Sequence, residues 1–261
     1  MRRGDLEMSK PDFDIQLTDD YLVDTDGTSD GTQMKYFSDG YWYKTNNEGE
    51  EDIVEYLVSK LLSFTDMPKE EYVIYERGLV NGKRACRSKT FINSDETFVT
   101  LDRMHVNITG QRLHEAIRLM QGIEESTQYV LDFFKNVINL DLSKYFSRVF
   151  TADYITLNED RHFHNLGVIM SVDGEYRPAP IFDNGKSLLN TNSSINYRLT
   201  ISENVKRVTA RPFSGNHKRM FEYFGKGFNL DKEATLMWLE TEEDTFYKQV
   251  LKYQIENINL D

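Results

Sequence analysis

The chain has 261 residues, enough to bury the core of one large domain or of a compact two-lobed one. Its net charge of −12, with no long run of Lys or Arg, argues against a general nucleic-acid binder and against attraction to an anionic membrane surface. No apolar run approaches the roughly 18–20 residues that span a bilayer, the amino terminus leads into polar sequence, and the lone Cys86 rules out an internal disulfide framework. A cytoplasmic location is therefore expected, with secretion as an effector left open.

Residues 1–24 are polar and read as a loose arm. From Asp24 to Thr32 the chain offers Gly and Asx turn chemistry. There Gly27, Ser29, Gly31 and Thr32 precede a strand, where a loop's backbone N–H groups and hydroxyls can lie over nucleotide phosphates. The same composition also suits an ordinary surface loop. Met34 to Thr45 predicts a hairpin turning at Asp39-Gly40, with Trp42 and Lys44 on one face of its second strand. Lys44 reads either as a solvated strand end or as a lysine that pairs with the α- and β-phosphates of a nucleotide.

Apolar residues Ile53, Val54, Leu57, Val58, Leu61 and Leu62 recur at helical spacing and predict an amphipathic helix from Glu50 to Leu62. Glu51 and Glu55 border its buried stripe, and Glu55 is the better placed to reach Lys44. A second hairpin is expected from Tyr72–Tyr75 and Lys83–Cys86 around Asn81-Gly82. Hairpin, helix, hairpin is the layout of a small kinase N-lobe over residues 25–92, with Ser88–Ile92 passing near a bound base. Residues 93–261 then form a mainly helical C-lobe, with helices expected at Arg112–Met120, Glu124–Asn139, Leu142–Ile155 and from Lys232 to about Ile255. The fold class is α+β, one two-lobed domain.

The residues that look built for chemistry lie between Leu157 and Leu189. Asp160 and Asn165 stand at the D-x-x-x-x-N interval of a kinase catalytic loop, and Asp183 follows a hairpin that turns at Asp173-Gly174. Phosphoryl transfer needs positioning and charge neutralisation more than covalent chemistry. One base, two hard oxygen donors and one lysine meet most of that need: Asp160 as base, Asn165 and Asp183 as Mg²⁺ ligands, Lys44 on the phosphates of ATP. The alternative for Asp160 and Asn165 is a structural turn in which both bond the backbone. His162 and His164 form an H-x-H pair without a third placed ligand, a weak zinc signal. His162 is expected to brace the loop by hydrogen bonding and His164 to be exposed. Cys86 has no evident base partner.

The order Tyr43-Lys44, Glu55-Tyr56, Asp160-Arg161-His162-Phe163-His164-Asn165 and Ile181-Phe182-Asp183-Asn184-Gly185 resembles the HipA-like serine/threonine kinases and their small CtkA-like relatives. The resemblance covers roughly residues 25–215. It implies a bilobed protein-kinase-like fold, Mg²⁺ and ATP as cofactors, a Ser/Thr acceptor on a protein, autophosphorylation of a loop hydroxyl such as Ser29, Thr28 or Thr32, and a toxin–antitoxin setting with an antitoxin-like partner. The chain is shorter than the toxin proper and lacks room for its extra N-terminal subdomain, so the toxin's own antitoxin binding and DNA-complex formation do not carry over. Arg211-Pro212-Phe213-Ser214 also resembles a family segment. The D-R-H-x-x-N string is similar to the catalytic loop of phosphatidylinositol 3- and 4-kinases, which makes a lipid kinase one alternative; a pseudokinase that binds without transferring is the other.

Overall fold

The structure is a computed structural model that describes residues 11–23, 34–47, 49–190 and 195–260. Its first lobe is a five-stranded sheet of β1 (Phe13–Ile15), β2 (Lys35–Ser38), β3 (Tyr41–Thr45), β4 (Glu76–Val80) and β5 (Lys83–Lys89), in the spatial order β1-β4-β5-β3-β2. Both hairpins close through two-residue turns, Asp39-Gly40 and Asn81-Gly82. All four residues have φ between 50° and 77°, the left-handed backbone that matches the twist of the flanking strands.

Two expectations change here. Phe13–Ile15, read as part of a loose arm, pairs in parallel with Gly78–Val80 and forms a sheet edge. Phe13 and Leu17 cover Tyr36, Tyr43, Val80 and Ala85, with Ile15 packed beside them, so three apolar residues in a polar stretch suffice to anchor it. The second hairpin begins at Glu76 rather than Tyr72. The apolar run Tyr72–Tyr75 instead lies beside Ile181, with Val73 N–H donating to the Ile181 carbonyl at 2.9 Å and Ile181 N–H to the Glu71 carbonyl at 2.8 Å. A run that reads as a hairpin strand is thereby a bridge between lobes.

Helix α1 (Glu51–Leu62) crosses behind the sheet. Its stripe Ile53, Val54, Leu57, Val58, Leu61 and Leu62 belongs to the same continuous core as the helical lobe, whereas the outer face of the sheet has a small core of its own. Polar ties reinforce this union: Tyr56 Oη donates to Glu242 at 2.9 Å, and Glu50 N–H donates to Asn190 Oδ1 at 3.2 Å.

The second lobe contains α2 (Leu101–Thr109), α3 (Leu113–Ile117), α4 (Gly122–Ile138), α5 (Ser143–Thr156), α6 (Ile201–Val205), α7 (His217–Phe224), α8 (Lys232–Thr241) and α9 (Phe246–Asn257). Helical structure starts ahead of the expected Arg112, because Thr100 caps α2 by accepting from Arg103 N–H and Gly110 ends it at φ 76°. The expected helix over Arg112–Met120 shrinks to five residues. The single final helix is two, since Thr245 caps α9 through Lys248 N–H and interrupts the run. A three-stranded sheet of β6 (Glu96–Thr100), β7 (Gly167–Ser171) and β8 (Tyr176–Pro178), in the order β6-β7-β8, supports the loop between α5 and β7. Among the described residues no helix is long and apolar enough to cross a membrane.

Candidate active site

Strand alternation and one helical turn bring Lys44 and Glu55 together. Lys44 leaves β3 on the face opposite Tyr43, and α1 presents Glu55 beneath it, with Nζ to Oε1 at 3.1 Å. The other Glu55 oxygen accepts the Asn184 backbone N–H at 2.9 Å, and the residue is 1% exposed. Glu51, the rival on the same helix, accepts from the Asn47 and Gly49 backbone N–H groups and so closes the loop before α1. Lys44 Nζ also lies 2.6 Å from Asp183 Oδ1, which joins the two lobes through one ammonium group.

Asp183 is delivered by the Tyr72–Ile181 bridge and adopts φ 58°, a left-handed conformation that costs on the order of 1–3 kcal/mol in a residue other than glycine. Tyr75 Oη accepts its N–H at 3.4 Å, and Phe182 packs against both Phe91 and Phe98 with ring centroids 5.4 Å from each. The strained backbone turns the carboxylate toward Lys44 while the neighbouring ring joins this aromatic cluster.

The loop that carries Asp160 follows α5, whose end is the left-handed Leu157. Arg161, 1% exposed, holds that loop from inside. It forms a forked ion pair with Asp153 on α5, donates to the Phe182 carbonyl at 2.8 Å and to Asn184 Oδ1 at 2.6 Å. One guanidinium thus fixes the Asp160 loop and the Asp183 loop in register, a planar multi-donor task that lysine cannot perform. Asn165 Nδ2 donates to the Asp160 carbonyl at 3.0 Å, which shapes the turn. Its Oδ1 is buried and has no hydrogen-bond partner. Asp160 itself is 41% exposed at the mouth, with Arg211 Nη1 3.7 Å from Oδ1.

His162 is not the brace expected of it. Its Nδ1 is buried without a partner and its Nε2 stands 3.9 Å from Asp160 Oδ2, too far for a hydrogen bond. The bracing falls instead to Arg161 and to His217, whose Nε2 donates to the Asn158 carbonyl at 2.8 Å. His164 is largely covered rather than exposed, paired at 3.1 Å with Asp102, which also accepts Leu113 N–H at 2.9 Å. Gly27, Ser29, Gly31 and Thr32 lie outside the described residues, as does Thr28.

The electrostatics converge on one centre. Burial favours the neutral acid at Asp183, yet Lys44 and Lys35 outweigh it and hold the carboxyl well below the usual carboxylate range. Burial likewise opposes the charge on Lys44, but Asp183, Tyr75 and Glu55 push its pKa well above the ordinary value. Burial, and then the Asp183 charge, push Glu55 upward against the pull of Lys44. Cys86, beside Lys44 across the β3–β5 ladder, has its thiol pushed up by burial, which disfavours the thiolate.

A hard cation suits this donor set. The orphaned Asn165 Oδ1 is a neutral oxygen donor, and Asp183 is a carboxylate held ionised. Among the described residues no three His, Cys, Asp or Glu side chains converge as an all-protein metal cage. Two protein oxygens with the remaining positions left to water and phosphate is the arrangement Mg²⁺ favours.

No protein-family model matches the sequence, and no curated protein matches it. Among solved structures, the proinflammatory kinase CtkA of Helicobacter pylori superposes with a TM-score of 0.58 over 86% of this chain and 88% of CtkA, at 15% identity. The fold is that of a CtkA-like kinase. HipA of Shewanella oneidensis MR-1, solved with HipB and its operator DNA, aligns over 90% of this chain and 62% of its own, at a TM-score of 0.41 and 11% identity.

Within this kinase-like fold Lys35 and Arg161 have roles at the site that sequence reasoning did not assign. Lys35 is the register partner of Lys44 on β2; burial lowers its pKa, while the Asp183 charge opposes that. Strand pairing alone would have found it, immediately before the Tyr36-Phe37 pair. Arg161 was visible as the second letter of Asp-Arg-His, but its clamp depends on Asp153 and Asn184 from other elements.

Proposed function

We propose that this chain is an ATP- and Mg²⁺-dependent protein kinase that phosphorylates Ser or Thr hydroxyls. The observation that carries the reading is the Lys44 ammonium held between Glu55 and Asp183, with the orphaned Asn165 oxygen and the accessible Asp160 carboxylate on the adjoining loop. In this reading Lys44, with Lys35 beside it, binds the phosphates, and Glu55 keeps Lys44 from collapsing wholly onto Asp183. Asp183 and Asn165 would hold Mg²⁺, which supplies charge neutralisation on the phosphate oxygens. Gly27, Ser29, Gly31 and Thr32 would supply backbone N–H groups and hydroxyls to those phosphates.

Asp160 accepts the proton of the acceptor hydroxyl. The hydroxyl oxygen forms a bond to the γ-phosphorus as the bond from that phosphorus to the β–γ bridging oxygen breaks, and ADP leaves with the bonding pair. Asp160 is suited to this by its exposure and by a backbone fixed on both sides, through the Asn165 side chain and Arg161. His162 stands close enough to Asp160 to contact the acceptor, without a hydrogen bond of its own to the base.

Titration calorimetry tests the nucleotide part. Wild type is expected to bind ATP more tightly with Mg²⁺ than with EDTA, and Asp183→Asn to abolish that difference while keeping weak metal-free binding. Equal affinity in both buffers for the wild type contradicts the assignment of Asn165 and Asp183.

A further inference from the structure

The charge of this chain is unevenly spread. It is acidic as a whole, yet between Asn184 and Met220 it carries seven Lys or Arg and a single acid, Glu203. The described part of this stretch from Ile195 onward reaches the mouth of the site at Thr209 and Arg211. Arg198, Lys206, Arg207 and Arg211 are all exposed. Lys218 and Arg219 lie farther along, where Glu222 at 3.5 Å and Glu124 at 4.0 Å partly neutralise them.

The strip is built rather than loose. Asn204, buried, donates to the Asn196 and Thr200 carbonyls, and its Oδ1 accepts the Asn196 N–H at 2.9 Å, which gathers the segments bearing Arg198 and Lys206-Arg207. From there the chain reaches the catalytic loop: Thr209 N–H donates to Glu159 Oε1 at 3.1 Å, and two residues on Arg211, 61% exposed, faces Asp160. The exposed guanidinium beside the base is a cation that the phosphate cluster around Lys44 does not require.

We propose that this strip selects the acceptor: the Ser or Thr to be phosphorylated lies in an acidic peptide segment, with Arg211 and Arg207 binding carboxylates next to the acceptor. This rests on the kinase reading above and names its substrate class. An arriving carboxylate takes Arg211 from Asp160, which frees the base for the hydroxyl, so recognition and activation use one side chain. Charge distribution favours a peptide over an anionic membrane. The rest of the chain is strongly acidic and would be repelled by a sheet of anionic lipid, whereas an extended peptide meets only the strip.

The test compares synthetic acceptor peptides that differ only in whether Glu, Ala or Lys flanks a central Ser. Transfer of label from ATP is followed at low and high salt, with the protein's own ATP hydrolysis as a parallel readout. Wild type is expected to show kcat/KM about fivefold or more higher for the Glu-flanked peptide, mostly through KM, and to lose the preference at high salt. Arg207→Ala with Arg211→Ala should flatten it, and Arg207→Glu with Arg211→Glu should turn it toward the Lys-flanked peptide. Equal use of the three peptides, or a preference untouched by the substitutions, overturns the inference while ATP turnover leaves the kinase reading standing. Transfer to phosphoinositide vesicles but to no peptide overturns it in favour of a lipid acceptor. Absence of both hydrolysis and transfer removes the kinase reading, and this inference with it.

Discussion

Lys44 is the residue on which both lobes meet, and its two partners have separable roles. Glu55 is buried and fixed by the Asn184 N–H, so Glu55→Gln should weaken ATP binding, whereas Glu51→Gln should leave it unchanged because Glu51 accepts from the Asn47 and Gly49 backbone rather than from Lys44. Titrating both variants with ATP checks this; equal losses would assign the two glutamates the same role. Arg161 makes a stability prediction. Arg161→Ala leaves the buried Asp153 carboxyl without its partner and should cost about 3–5 kcal/mol in urea denaturation. His217 supplies a pH dependence. Burial lowers its pKa, so the native state keeps it neutral while the unfolded chain binds a proton below its ordinary value of about 6.5. Its contribution is therefore full above about pH 6.5 and falls as pH drops through that value toward the lowered folded one. A melting-temperature profile from about pH 8 to about pH 5 should decline on the acid side, and His217→Gln should flatten that decline.

At the scale of elements, the chain was most legible where periodicity and turn chemistry coincide. Asp39-Gly40, Asn81-Gly82 and the Ile53–Leu62 stripe each specify one local structure, and β2–β3 and α1 follow. Tyr72–Tyr75 misleads because an apolar run looks the same whether it joins a hairpin or bridges to Ile181. β1 was hidden because three residues give too little pattern, and its pairing with β4 joins positions far apart in the chain, Phe13 with Gly78. The split between α8 and α9 was written at Thr245, a capping residue inside an acidic run that reads equally well as helix surface. In the site, Asp160, Asn165 and Asp183 are marked by spacing. His162 and His164 are not interpretable that way, since what each ring touches depends on α2 and on the mouth of the site.

For the whole molecule, the shared core is the feature with most consequence. Because α1 belongs to the same apolar cluster as α5 and α9, the Lys44–Glu55 pair is carried by the helical lobe rather than by the sheet alone. Leu61→Ala, at a fully buried position of that cluster, should cost about 2–5 kcal/mol, and calorimetry should still show one transition rather than two. Two resolved transitions would mean that α1 does not weld the lobes. A helix held in this way also keeps Glu55 in place beside Lys44.

That assembly leads to the most direct measurement: transfer of label from the γ-phosphate of ATP to the protein itself and to generic protein acceptors, with Mg²⁺ or with EDTA. Transfer is expected to depend on Mg²⁺, to fall by roughly 10²–10⁴ in Asp160→Ala, the range for removal of a positioned base, and to disappear in Asp183→Ala. Transfer that proceeds unchanged in either variant, or that proceeds in EDTA, would contradict the kinase reading.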